Sequence, residues 1–148
     1  SEALAARHDI DAIHLVSHGA AGETKMGNLW LTQDNLAAYA PELQSWQAAL
    51  SADADFLIYG CEVASTAAGQ QLLTGLSRLT GADVNASTDN TGTALFGGNW
   101  QLEYATGRIE TRVAVSAAAQ QSYVNLLNVA VDSASSASVS RVSTSVNR

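Results

Sequence analysis

Two residues with the chemistry of a nucleophile and a base follow apolar runs of the sequence. "IHLVSHGAAG", residues 13–22, ends one β-favouring run with His18 and Gly19. "FLIYGCEVA", residues 56–64, ends another with a glycine and the single cysteine of the chain, Cys61. An imidazole and a thiol held close together can carry out nucleophilic catalysis. Whether these two meet depends on the elements that carry them.

The stretch of residues 12–87 alternates between strand and helix patterns. Short apolar runs at 12–18 and 54–60 predict buried strands, "ADVNAS" at 82–87 predicts the next strand, and "GNLWLT" predicts a further small strand. Apolar residues at spacings of three and four predict helices after Thr32, from Pro41 through Trp46 to Leu50, and over "STAAGQQLLTGLSRLTG" as far as Gly81. This alternation indicates an α/β domain with a mostly parallel central sheet and helices on both faces.

Parallel sheets place their reactive residues at the carboxyl ends of the strands, where His18 and Cys61 are expected. Neighbouring strands lie about 4.8 Å apart, so side chains at adjacent tips come within reach of each other. A helix predicted just after Cys61 would favour its thiolate. Gly19 lets its amide approach a substrate carbonyl, and the amide of Cys61 offers a second donor, so the two predict an oxyanion hole.

The residues after the alternating region predict an edge hairpin of the sheet, a last helix and a tail. "NWQLEYATGRIETRV" alternates about a central "TG" and indicates an antiparallel edge hairpin, and "SAAAQQSYVNLL" indicates a closing helix. From Asn128 the chain is serine-rich. We therefore predict a folded domain over 1–127 and a linker or tail over 128–148.

Composition limits the other functions. The chain has 148 residues, 14% charged residues and a formal net charge of −7, which disfavours nucleic acid as a partner. No apolar run reaches the roughly 20 residues of a membrane helix. His14 and His18 on one strand would lie about 13 Å apart, too far to share a metal ion. With one cysteine and no phosphate loop, we expect no metal and no cofactor.

Each candidate residue also has an ordinary structural explanation. A lone cysteine after a strand is usually a small buried hydrophobe, and a histidine at a strand end often only makes hydrogen bonds. The matching positions of His18 and Cys61, each next to a glycine, favour the catalytic interpretation of the pair.

The combination of "HLVSHGAAG" and "LIYGCEVA" resembles the two-strand signature of caspase-like cysteine peptidases, in which a His-Gly ends one strand and a cysteine ends the next. "YGCEV" departs from the glutamine-alanine-cysteine run of the caspases themselves. Residues 13–111, through blocks such as "YGCEVA", "LTGADVNAS" and "GGNWQLE", are also similar to an uncharacterised bacterial domain family of large, repeat-rich, adhesin-like surface proteins.

The resemblance implies a caspase-like three-layer sandwich and a cysteine endopeptidase. Cys61 would be the nucleophile and His18 the general base and acid, with the amides of Gly19 and Cys61 holding the oxyanion; no third triad residue is required in this group. Asp89 and Glu62 are candidates for the substrate pocket, with a role as solvated loop acids as the alternative. The substrate would be a polypeptide, and the chain's own tail or parent protein is one candidate.

Self-processing within or beyond the tail would place the cut after a charged residue, and the candidates there are Asp132, Arg141 and Arg148. A tethered substrate has a high effective concentration, so even a shallow groove can cut it. Two other functions stay open: a non-catalytic binding or structural module of an adhesin, and a transpeptidase that uses the same dyad. The chain begins at Ser1, and the resemblance implies that it is part of a larger secreted or cell-surface protein.

Overall fold

The computed structural model describes residues 1–128 and the backbone of residues 143–145. In chain order, the strands are β1 (Ile10–Val16), β2 (Gly19–Ala20), β3 (Glu23–Met26), β4 (Leu29–Thr32), β5 (Leu50–Tyr59), β6 (Asp83–Ala86), β7 (Tyr104–Ala105) and β8 (Ser143–Ser145). The α-helices are α1 (Ala40–Gln44), α2 (Ala67–Thr80) and α3 (Ala117–Ser122). Short 3-10 turns lie at Glu2–Leu4, Leu36–Tyr39, Ser45–Ala48 and Ala94–Phe96.

The central sheet has the strand order β7-β6-β5-β1-β8. The inner strands β1, β5 and β6 run parallel, and the two outer strands are antiparallel to their neighbours. Val16 of β1 lies opposite Tyr59 of β5, so both strands end at the same level. The residues that follow, His18 and Cys61, therefore leave the sheet from adjacent tips. A second sheet of β2, β3 and β4 is antiparallel and follows directly from the first tip.

Apolar residues cover both faces of the central sheet, because successive strand residues point to opposite sides. Phe56 and Ile58 belong to a large cluster with the leucines of α2, whereas Leu57 and Tyr59 belong to a second cluster with Trp100 and residues near α3. The result is a mixed α/β domain with the layers of a three-layer sandwich, as predicted.

The helix α2 follows its sequence signals. The Thr66 side chain accepts a hydrogen bond from the amide of Gly69 at 3.1 Å and caps the first turn. Three leucines, Leu72, Leu73 and Leu76, are fully buried. Gly81 ends the helix in the left-handed conformation with φ 76°, which favours glycine.

The strand predicted in "GNLWLT" is present as β4, which belongs to a three-stranded sheet. Other expectations need correction. The helix predicted after Thr32 is only a 3-10 turn, and Leu50 begins β5 rather than continuing a helix. The edge hairpin is reduced to β7, because residues 108–113 form no strand. Instead, the buried carboxylate of Asp55 accepts hydrogen bonds from the amides of Glu110 and Thr111, at 3.0 and 2.8 Å.

The closing helix is present only over the first half of its predicted range, as α3 with Ser116 as its N-cap, and residues 123–127 are not helical. The tail is described only through the backbone of β8, so the division at residue 127 stays a prediction. The candidate cleavage positions Asp132, Arg141 and Arg148 lie outside the described residues. Within the described part of the chain, no helix has the length and apolarity needed to cross a membrane.

Candidate active site

The site lies where the two loops that follow β1 and β5 touch. Gly19 packs so closely on the other loop that a Cβ there would lie 2.8 Å from the carbonyl oxygen of Cys61 and 2.9 Å from the carbonyl carbon of Gly60. Both contacts are to backbone, which cannot move aside as a flexible side chain can. Glycine is therefore required at position 19, and the structure brings the His18 and Cys61 loops together as predicted.

The Cys61 thiol is fully buried, with 0% of the residue exposed. Its sulfur accepts a hydrogen bond from the amide of Thr91 at 3.3 Å and donates one to the Thr91 carbonyl at 3.5 Å. The loop after β6 therefore fixes the orientation of the thiol. Thr91 had no signal in the sequence, because its contribution comes from backbone atoms that any residue carries.

Burial raises the pKa of the Cys61 thiol, and the nearby carboxylates of Glu62 and Asp89 add to the rise, while hydrogen bonds to the backbone of Thr91 and Leu127 partly offset it. The expected help from a helix N-terminus is absent, because α2 begins at Ala67 and a helix dipole acts only within its first turn. The prediction of a thiolate favoured by this helix was wrong. The thiol is protonated at neutral pH and would have to lose its proton as it reacts.

His18 is half-buried beside this thiol loop. Its ring nitrogen Nδ1 is buried and has no hydrogen-bond partner among the described residues. Its backbone carbonyl accepts a hydrogen bond from the Lys25 amide at 2.9 Å, which fastens the loop to β3. The backbone of His18 is thus anchored, and its ring nitrogen Nδ1 is not engaged in a hydrogen bond with the described residues.

The two amides predicted to form an oxyanion hole converge on one oxygen atom. The amide of Gly19 donates to the carbonyl oxygen of Leu127 at 2.9 Å, and the amide of Cys61 donates to the same oxygen at 3.1 Å. Two amide donors that converge on one oxygen are what an oxyanion hole needs, although here the oxygen is that of an ordinary peptide carbonyl. Sequence reasoning did not foresee that Leu127 of the same chain would supply that oxygen.

The two candidate pocket acids lie beside the site, and both are exposed. The carboxylate of Asp89 accepts hydrogen bonds from the side chains of Asn99 and Ser87, with Asn99 at 3.0 and 3.1 Å. Glu62 has a left-handed backbone, φ 58°, and its amide donates to the Asp89 carbonyl at 2.7 Å. Asp89 is therefore engaged in ordering its own loop, and the assignment of either acid to a substrate pocket stays a prediction.

The other histidines lie apart from this site. His14 is buried in β1, as expected, and its Nδ1 lies 3.0 Å from the Tyr59 hydroxyl. His8 is exposed, with its Nδ1 3.4 Å from the carbonyl oxygen of Ala48. Among the described residues no group of three His, Cys, Asp or Glu is placed to hold a metal ion.

The described residues form, among others, a cavity and an open groove. An apolar cavity of about 330 Å³ lies between the sheet and α1, lined by residues such as Ile13, Met26 and Trp46, and contains none of the candidate site residues. An open groove of about 770 Å³ runs between residues 92–101 and α3. Gly92, Gly98 and Trp100 line this second groove, which begins next to the Thr91 backbone that holds the thiol.

Fold and site together define a class: a mixed α/β domain in which neighbouring parallel strands end in a His-Gly and a Gly-Cys loop. Residues 1–127 match the model of a protein family described as a domain of unknown function, DUF4347. The chain belongs to this family. No curated protein and no solved structure matches the chain.

Proposed function

We propose that this domain is a caspase-like cysteine endopeptidase in which Cys61 is the nucleophile and His18 the general base and acid. One observation carries the proposal: the amides of Gly19 and Cys61 point at a single carbonyl oxygen directly beside the only thiol of the chain. An oxyanion site, a thiol and an imidazole at one sheet edge are the parts that acyl transfer from a peptide needs.

The reaction follows from these positions. His18 takes the proton of the Cys61 thiol as the sulfur attacks the peptide carbonyl, and the two amides stabilise the charge that develops on the carbonyl oxygen. His18 then gives the proton to the leaving amine, and water hydrolyses the thioester. Because burial raises the pKa of the thiol, proton transfer to His18 has to accompany the attack rather than precede it.

The proposal extends to the setting of the domain. Its substrate is a polypeptide, and its parent is a large secreted or cell-surface protein of the adhesin type, in line with the blocks that resemble that bacterial family. No nucleic acid, membrane or cofactor takes part. The substrate could lie in the parent chain itself, because a tethered segment reaches the site at high effective concentration.

The test is intact mass over time for the unmodified chain, Cys61→Ala and His18→Ala, with His8→Ala as the histidine control. We expect the unmodified chain and His8→Ala to produce fragments or to cut added peptides. Cys61→Ala should be inactive, and His18→Ala should be slower by about 10²–10⁴-fold, the usual contribution of a general acid–base group. If all four proteins give the same fragments and the same cleavage of added peptide libraries, or none, the peptidase proposal is wrong.

A second candidate function has one observation in its favour. The thiol is fully buried and both of its hydrogen bonds go to the Thr91 backbone, as in an inert structural cysteine of a non-catalytic adhesin module. This alternative predicts no fragments in any of the four proteins. A transpeptidase with the same dyad is distinguished by an added amine, which would appear in its product as extra mass.

A further inference from the structure

Residues 125–128 cross the candidate site through two isolated β-bridges, with bends at positions 125 and 127. The Leu127 amide donates to the Thr91 carbonyl at 2.8 Å, and the Thr93 amide donates to the Asn125 carbonyl at 2.9 Å. Leu126 forms an antiparallel bridge with Gly92, and Asn128 forms a parallel bridge with Gly19. The chain is therefore held by backbone contacts on both sides of the Leu127–Asn128 peptide bond, as a peptide substrate is when it adds a strand to an enzyme.

The carbonyl of that bond occupies an unusual position. A carbonyl in a β-ladder ordinarily pairs with an amide of the neighbouring strand. The Leu127 oxygen instead receives two amides from two different loops, those of Gly19 and Cys61. These are the two donors that the mechanism above assigns to the oxyanion.

The side chains before the bond also fit the site. Leu127 is 7% exposed and belongs to the buried cluster that contains Cys61, Tyr59 and Trp100. Leu126 lies against Gly98, where an added Cβ would come within 2.6 Å of the leucine Cδ2 atom. Gly92 lies equally close to this segment, since a Cβ there would be 2.9 Å from the Leu126 Cα. The glycines thus make room for this segment.

We propose that the bond cut by this domain is Leu127–Asn128 of its own chain, and that the residue selected before the cut is apolar. The inference rests on the proposed peptidase function and sharpens it. It moves the cut upstream of Asp132, Arg141 and Arg148, and it replaces a charged selected residue by leucine. The acids Asp89 and Glu62 then have no part in binding the residue before the cut.

The step balances in atoms and charge. The Cys61 sulfur bonds to the Leu127 carbonyl carbon while His18 takes the thiol proton. The bond to the Asn128 nitrogen breaks, and that nitrogen leaves as an amine with the proton from His18. Water then adds to the thioester, which frees the thiol and leaves a carboxylic acid on Leu127. One water is consumed for one peptide bond broken.

The chain before the cut stays attached to the domain that made it. Residues 125–127 keep their hydrogen bonds to Thr91 and Thr93, so the new carboxylate remains in the groove and opposes entry of another substrate. The domain therefore acts once on itself, and we expect its cutting of free peptides to be slow.

Intact mass and N-terminal sequencing of the full chain test this inference, with four variants. Cys61→Ala removes the nucleophile. Asn128→Pro removes the amide hydrogen of the leaving nitrogen. Leu127→Lys places a charge in the apolar cluster, and Leu127→Met is its conservative partner. Thermal unfolding of each variant shows whether it folds.

We expect the unmodified chain and Leu127→Met to yield a fragment that begins at Asn128. Cys61→Ala and Asn128→Pro should stay whole, with folding intact, and Leu127→Lys should be cut more slowly than Leu127→Met. A Cys61-dependent cut at another bond, retained in Asn128→Pro, would overturn the inference and leave the peptidase proposal standing. If no version is cut, self-cleavage at this bond is wrong, and hydrolysis of a peptide library by the full chain then decides the peptidase proposal separately.

Discussion

At the scale of single residues, the candidate reacting groups were identifiable from the sequence, whereas the protonation state of the thiol was not. His18, Gly19 and Cys61 carry side-chain or glycine signals at strand ends, and the fold brings their loops together. The contributions of Thr91 and Leu127 come from backbone atoms, which leave no mark on residue type. The raised pKa of the Cys61 thiol depends on burial by distant segments, so the sequence alone suggested the opposite direction.

The thiol should make the domain less stable in alkali. Because burial raises the pKa of Cys61, the folded chain holds a proton that the unfolded chain loses above about pH 8.5. The free energy of unfolding should therefore be unaffected by this group below that pH and fall as pH rises above it. Urea unfolding of the unmodified chain and Cys61→Ser between pH 7 and 10 measures the effect.

The comparison with Cys61→Ser matters because burial also raises the pKa values of Tyr59 and Tyr123, which titrate in both proteins. Only the difference between the two curves reports on the thiol. Parallel curves over the whole range would show that Cys61 is not desolvated in the fold.

At the scale of elements, those with a regular periodic sequence pattern were predictable, and those without one were not. Helix α2 has a cap, a leucine stripe and a terminal glycine, all local signals, and it was predicted almost to the residue. The prediction of an edge hairpin was wrong because a long-range contact outweighs the local alternation of residues. The Asp55 carboxylate accepts hydrogen bonds from the amides of residues 110 and 111, which are then not available for strand pairing. Strand β2 was missed because two residues are too short for a periodic pattern.

The contact between the loop of His18 and Gly19 and the loop of Gly60 and Cys61 gives a prediction about Gly19. In Gly19→Ala the added methyl meets the Cys61 and Gly60 backbone, so the loops must separate and the two amides can no longer share one oxygen. We expect a loss of about 1–3 kcal/mol in the free energy of unfolding, typical of overpacking, together with loss of cleavage.

Gly27→Ala is the matched control for this change. Gly27 has φ +62° and no atom within 4 Å of an added Cβ, so alanine there should cost about 1–2 kcal/mol through backbone strain alone. Urea unfolding and intact mass are measured for both variants. Retained cleavage in Gly19→Ala would show that the close approach of the loops is not needed.

At the scale of the whole molecule, a buried polar group joins the sheet to the layer that covers it. The Tyr59 hydroxyl lies 3.0 Å from His14 Nδ1 and accepts a hydrogen bond from the Ala114 amide at 3.0 Å. Asp55 on the same strand fixes the amides of residues 110 and 111. The segment that leads to the site residue Leu127 is therefore fastened to β1 and β5 through polar side chains.

His14 should make the domain sensitive to acid. Burial lowers the pKa of His14, and the attraction of Asp55 only partly offsets this, so the folded chain keeps the imidazole neutral while the unfolded chain binds a proton below about pH 6.5. The free energy of unfolding should therefore fall as pH drops below that value. His14→Gln should show a shallower fall in urea titrations between pH 7.5 and 5. An unchanged slope would contradict a buried neutral histidine.

The short strand β8 separates cleavage of the chain from release of the downstream piece. Its backbone pairs with β1 at three positions, on the far side of the Leu127–Asn128 bond in the sequence. A cut at that bond would leave a nicked domain whose downstream piece is still hydrogen-bonded to the sheet edge. Release of that piece would therefore require the loss of these three backbone pairs in addition to cleavage of the peptide bond.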